Sequence, residues 1–168
     1  MCKIVRVKHT SKNLLPDLCN FLRLFTKEYY SGALAQKELD SLLFFTKEDI
    51  VKNEIKEGKY QYYIVVYENQ NVGFVQLQLE EDALILSKIF ISNKFRRKGI
   101  STKLLAEIKN MALENNCEEI QFSTGENYKK LQLIIKKWGF AFSKKNARYL
   151  GDDIYIYEDM YSLRVHVK

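Results

Sequence analysis

Residues 95–102 read Phe-Arg-Arg-Lys-Gly-Ile-Ser-Thr, so two arginines and a lysine run directly into Gly99. Side chains of that type at that spacing hold an anion, a phosphate above all. The first backbone N–H groups of a helix have no intrahelical partner, and the helix dipole adds partial positive charge at the same end. A glycine there lets the main chain take a positive φ or pass close to a ligand.

The flanking elements are the ones such a site needs. Ser87-Lys88-Ile89-Phe90-Ile91-Ser92 is short, apolar in its centre and rich in β-branched and aromatic residues, which reads as a strand. Beyond the glycine, Ile100, Leu104, Leu105, Ile108, Met111 and Ala112 recur at helical spacing. The basic turn therefore lies at a strand-to-helix junction, where phosphates bind to other proteins. Neither a GxxxxGK[ST] string nor GxGxxG occurs in the chain, so the two commonest nucleotide loops are absent.

What remains is RxxGxS, formed by Arg96, Arg97, Lys98, Gly99, Ile100 and Ser101. It resembles the acyl-CoA loop of the GNAT family of N-acetyltransferases, usually RxxGxG or RxxGxA. The resemblance runs over most of the chain and is specific in the middle. It implies that Ile89, Phe90 and Ile91 are the fourth strand, whose main chain pairs with the pantetheine arm as an added strand would. It implies that Arg96 to Ser101 cradle the pyrophosphate and that Thr102 begins the helix. Glu118 to Thr124 then resemble the fifth strand, followed by Gly125, Glu126 and Asn127 and a helix ending Lys136-Lys137-Trp138-Gly139-Phe140, a second family signature. That ending also follows from chain physics: Gly139 suits a left-handed helix stop, the two lysines suit the negative helix end, and Trp138 and Phe140 are expected to pack as core. Asn127 resembles the asparagine that hydrogen-bonds the CoA arm, and it equally suits a helix N-cap.

Two positions depart from the family pattern. Ser101 stands where Gly or Ala is usual; its hydroxyl is small and can donate to a phosphate oxygen. Ile135 stands where many members carry the tyrosine that protonates the leaving thiolate, and isoleucine has no proton to give. The candidates left for that role are Tyr128 and, in the C-terminal strands, Tyr149, Tyr155, Tyr157 and Tyr161. Candidates for the base that deprotonates the acceptor are Glu80 and Glu81, in the hairpin before the fourth strand, and Ser123 acting through water.

The 168-residue chain is long enough for a full core, and with one proline and no linker, repeat or low-complexity tract it is expected to form a single domain over 1–168. Cys2, Cys19 and Cys117 are scattered, which argues against a disulfide framework or a zinc site, and Cys19 is expected to pack. His9 and His166 form no visible pair. No apolar run is long enough to span a membrane and the N-terminus lacks the apolar core of a signal peptide, so a cytoplasmic protein is expected. The charge of +6 and pI near 9.1 invite a nucleic-acid reading. No nucleic-acid motif supports it, and a polyphosphate cofactor accounts for the strongest basic cluster.

Strands are expected at about 3–8, 60–68, 72–80 and 83–92, helices at about 13–30 and within 33–57, and a final strand pair at about 140–149 and 153–165, turning at Gly151-Asp152-Asp153. Three successive strands make an antiparallel meander, whereas strand, helix, strand over 87–124 requires a parallel crossover. The expected fold class is α/β with an α+β mixed sheet: central, mostly antiparallel, with a splayed parallel pair, flanked by helices. Gly73 suits a bend or close approach within its strand.

The resemblance implies an enzyme that passes an acetyl group from acetyl-CoA, as co-substrate and without a metal, to a primary amine by direct attack in a ternary complex. The acceptor is a small-molecule or protein amine; the acidic run Glu38, Asp40, Glu48, Asp49, Glu54 and Glu57 would favour a cationic one. The alternative is a non-catalytic acyl-CoA-binding sensor or interaction module on the same fold, which Ile135 motivates. Monomer and homodimer both stay open, with Tyr155-Ile156-Tyr157 a candidate strand for pairing between copies.

Overall fold

The computed structural model describes residues 1–126, 128–151 and 153–165, the side chain of Leu150 excepted. Among the described residues thirteen elements follow one another: β1 (Cys2–Val7), α1 (Leu15–Tyr30), α2 (Gln36–Phe44), α3 (Glu48–Glu57), β2 (Gln61–Tyr67), β3 (Gln70–Leu79), β4 (Ala83–Ile91), a 3-10 turn (Asn93–Phe95), α4 (Ile100–Glu114), β5 (Glu119–Gly125), α5 (Lys129–Lys137), β6 (Ala141–Gly151) and β7 (Ile154–Arg164). The strands form one seven-stranded sheet in the order β1-β2-β3-β4-β5-β7-β6. β4 and β5 are parallel, as their helical crossover requires, while β1–β2, β2–β3, β5–β7 and β6–β7 are antiparallel. The mixed α/β architecture expected from the pattern is therefore the one observed. Among the described residues no helix is long and apolar enough to cross a membrane.

The chain forms two compact units, Met1–Leu77 with Lys88–Ile100, and Gln78–Ser87 with Ser101–Lys168. In the first, α1 lays Leu15, Leu18, Phe21 and Leu22 against Tyr62, Ile64, Phe74 and Phe90 of the strands. The Phe21 and Phe74 rings both lie within 6.3 Å of the Phe90 ring, so the middle of this core fixes the same stretch of β4 that precedes the basic turn. Pro16 sits in the first turn of α1, where no N–H is needed. Cys19 packs in this core, and its burial, aided by Glu48 and opposed by Arg23, pushes the thiol up to about 11.

Gly73 makes the close approach that a glycine inside a strand suggests. A Cβ built on it would lie 2.0 Å from the Phe90 carbonyl oxygen, so no larger residue fits without moving β3 off β4.

In the second unit, Leu104, Ile108, Ala112, Ile120, Phe122 and Ile135 are buried. α5 ends as expected: Gly139 has φ +92°, its N–H donates to the Lys136 carbonyl, and the Phe140 N–H donates to that of Ile135. This is the Schellman pattern, in which the residue after the glycine and the one five places earlier are both apolar. Phe140 and Ile135 are that pair, and both are buried; Trp138 is half-buried.

Candidate functional site

β4 is a strand because Ile85, Leu86, Ile89, Phe90 and Ile91 are β-branched or bulky and bury at least one face. It stops where Ser92-Asn93-Lys94-Phe95 tightens into the 3-10 turn; the Ser92 N–H donates to the Val72 carbonyl at 2.8 Å, and the Phe95 and Arg96 N–H groups close back onto Ser92 and Asn93. Two left-handed residues follow, Arg97 at φ +63° and Gly99 at φ +73°, and they turn the chain into α4. The helix starts at Ile100, two residues ahead of the expected Thr102, so Ser101 and Thr102 lie in its first turn. The difference arises because Gly99, not Ser101, is the residue that leaves helical geometry. A Cβ on Gly99 would meet nothing within 4 Å, so the main chain there faces open space with the unpaired N–H groups of a 15-residue helix beside it.

The three basic side chains are not equivalent. Arg96, though exposed, folds back along the strand before it: its Nε donates to the Ile91 carbonyl at 2.8 Å, its guanidinium pairs with Glu28 of α1 at 2.6 Å, and its charge lies 5.6 Å from the Phe90 ring centroid. Lys98 lies over the rings of Phe95 and Tyr67, at 5.4 and 5.9 Å. Arg97 is exposed on the left-handed turn. Arg96 thus braces the end of β4 against α1, which leaves Arg97, Lys98 and the Ser101 hydroxyl beside the helix start as the groups able to meet an anion. These residues fit a pyrophosphate: open space beside a glycine, a helix start and positive charge.

Sequence reasoning missed a polar chain through the interior of the same unit. Lys88 Nζ donates to Gln76 Oε1 at 2.6 Å, Gln76 Nε2 donates to the Tyr62 hydroxyl at 2.6 Å, and that hydroxyl donates to Glu54 Oε2 at 2.5 Å. Gln76 and Tyr62 are 1% and 2% exposed. Burial first, then the neighbouring Glu54 carboxylate, holds the Tyr62 hydroxyl far above the ordinary phenol range, so it is a permanent donor. The available signal was weak: Lys88 is the one charged residue of β4, but Gln76 shares β3 with Gln70, Asn71 and Gln78.

The candidate acid–base groups in the second unit are not brought together. Glu80 and Glu81 are exposed in the β3–β4 turn, ahead of Ala83, which pairs with Glu119 at the start of β5. Ser123 is half-buried near the other end of β5, opposite Met160. Tyr128 is the residue that caps α5 and lies outside its first turn; its N–H donates to the Gly125 carbonyl. Tyr149, Tyr155 and Tyr157 are exposed on the β6–β7 hairpin, while Tyr161 is buried, which raises its hydroxyl with Asp159 adding to the effect. Gln132 of α5 donates to Asp159 and to the carbonyls of Gly125 and Glu126, tying the end of β5 to the helix. Asn127, Asp152 and His166 lie outside the described residues. Among the described residues no three His, Cys, Asp or Glu side chains cluster to hold a metal ion.

Residues 31–151 match the acetyltransferase (GNAT) domain family, and the chain belongs to it. Solved structures agree on the fold. The PaiA N-acetyltransferase of Thermoplasma acidophilum, in complex with coenzyme A, superposes with a TM-score of 0.73 at 15% identity, covering 95% of this chain and 98% of the other. RimL, a ribosomal L7/L12 alpha-N-protein acetyltransferase also in complex with coenzyme A, gives 0.73 at 14% identity over 99% and 96%. A GNAT family acetyltransferase from Elizabethkingia anophelis with acetyl-CoA bound gives 0.62 at 13% identity over 97% of each.

Proposed function

We propose that this acetyltransferase moves an acetyl group from acetyl-CoA to a primary amine. The observation that carries the reading is the turn from β4 into α4, with Gly99 left-handed before a helix start and open space beside it. Arg97, Lys98, Gly99, Ile100, Ser101 and Thr102 hold the pyrophosphate, with Arg96 setting the turn's position through Ile91 and Glu28. Ile89, Phe90 and Ile91 offer main-chain groups to the pantetheine arm, and Asn127 is assigned a further bond to it. Two of the similar structures carry coenzyme A and one carries acetyl-CoA, which supports that ligand here.

With both reactants held, the amine nitrogen attacks the thioester carbonyl carbon, the C–N bond forms, and the C–S bond breaks with its electron pair leaving on sulfur. Holding the two in one geometry supplies most of the rate. For taking the proton from the acceptor nitrogen, Ser123 acting through a water is preferred over Glu80 and Glu81, whose hairpin is solvent-exposed. The acceptor is a small-molecule or protein amine; RimL, by its name, acts on a protein α-amine. Release of free thiol from acetyl-CoA across a panel of polyamines, amino acids and peptides tests the proposal: at least one amine accelerates release above the rate with protein alone.

The second reading is a binder of acyl-CoA without turnover, favoured by Ile135, which is fully buried at the position of the usual proton donor. It predicts heat on mixing with acetyl-CoA and no thiol release with any amine.

A further inference from the structure

The chain Lys88–Gln76–Tyr62–Glu54 can be oriented in only one way. An ammonium only donates and a carboxylate only accepts, so the Gln76 amide and the Tyr62 hydroxyl between them have no alternative direction. Gln76 and Tyr62 are almost wholly buried in a core where apolar residues of similar size would pack at no polar cost. The chain ties α3, β2 and β3 to one half-buried lysine, and that lysine directly precedes Ile89.

Its position relative to the cofactor follows from chain direction. With the pyrophosphate on the turn after Ile91, the pantetheine arm runs back along Ile91, Phe90 and Ile89 at roughly 3.3 Å per residue. Its far end, which carries the sulfur, then lies toward the Lys88 side of Ile89. We propose that Lys88 is the proton donor to the leaving thiolate, in the role for which Ile135 has no proton; this rests on the acetyltransferase reading above. When the C–S bond breaks, Lys88 Nζ gives a proton to the sulfur and becomes a neutral amine. The proton lost by the acceptor nitrogen returns through water to Lys88, and the cycle balances with no other reactant. Gln76, Tyr62 and Glu54 are positioning residues, which fix where the ammonium sits.

The test needs no acceptor. Coenzyme A with its free thiol is bound to the full-length protein, and its thiolate is followed by ultraviolet absorbance as pH is raised. The expected result is that the bound thiol ionises about one unit lower in the wild type than in Lys88→Met. Lys88→Arg, which keeps the charge and a donor for Gln76, retains the depression, an outcome that a purely structural role for the side chain does not give. With an amine that the wild type acetylates, Lys88→Met lowers kcat on the order of 100-fold with little change in KM for acetyl-CoA. Identical thiol ionisation in wild type and Lys88→Met overturns the inference while leaving the acetyltransferase reading intact. Failure of the wild type to bind coenzyme A overturns both.

Discussion

Arg96 Nε donates to the main-chain carbonyl of Ile91 at 2.8 Å, and this bond joins the basic turn to the last residue of the strand before it. The first arginine of the RxxGxS motif is in this chain a brace: it closes a five-residue loop and anchors it on Glu28. Arg96→Ala is expected to cost about 1–2 kcal/mol, nearly all of it from the Ile91 bond, since the Glu28 partner is half-exposed and such pairs contribute about 0–1 kcal/mol. Urea unfolding checks this, with Glu28→Ala expected to fall within about 0.5 kcal/mol of the wild type.

Gly99→Ala isolates the backbone cost of the turn. No atom lies within 4 Å of the added methyl group, so the penalty comes from φ +73° alone, about 1–2 kcal/mol. Thermal unfolding measures that cost. Acetyl-CoA affinity is expected to fall as well, because the methyl group enters the space assigned to the phosphates in the proposal.

Gly73→Ala is the opposite case, a steric one. The new Cβ would sit 2.0 Å from a main-chain oxygen of Phe90, which no rotamer change relieves. A loss of about 3 kcal/mol or more is expected, read as a lowered urea midpoint or as insoluble protein.

Stability should decline in alkali. The folded-state ionisation of Cys19 is raised from 9.0 to about 11 by burial, so its contribution is complete below pH 9 and is lost as pH climbs toward 11. The unfolded chain gives up that proton first, which favours unfolding by up to about 2 kcal/mol. Tyr62, Tyr63 and Cys117 are shifted upward by burial as well and add to the same slope at higher pH. Urea midpoints between pH 8 and 11 check the sign, and Cys19→Ala is expected to flatten the first part of the decline.

Much of this was legible in the sequence because local rules sufficed. The strand before Ser92, the glycine, and the helical spacing of Ile100, Leu104 and Ile108 are all local, and so is the stop at Gly139. Chain connectivity alone required β4 and β5 to be parallel. The contacts of the site were not local. Glu28 lies 68 residues before Arg96, and no period or turn signal links them. Nothing in the sequence marks Gln76 and Lys88 as partners; that they meet, and that the line continues through Tyr62 to Glu54, depends on strand register and on where α3 packs. The order in which β7 lies between β5 and β6 is likewise a tertiary outcome. Ile135 read as the absence of the usual proton donor; in the fold it is the apolar partner of Phe140 in the helix stop at Gly139.

Titration calorimetry with acetyl-CoA decides whether the turn between β4 and α4 binds the cofactor. Saturable binding by the wild type is predicted, together with its loss in a variant carrying Arg96→Glu and Gly99→Asp, which removes the brace and sets a carboxylate at the proposed phosphate site. No saturable heat with the wild type, or unchanged affinity in the double variant, would contradict the assignment of this turn as the cofactor site.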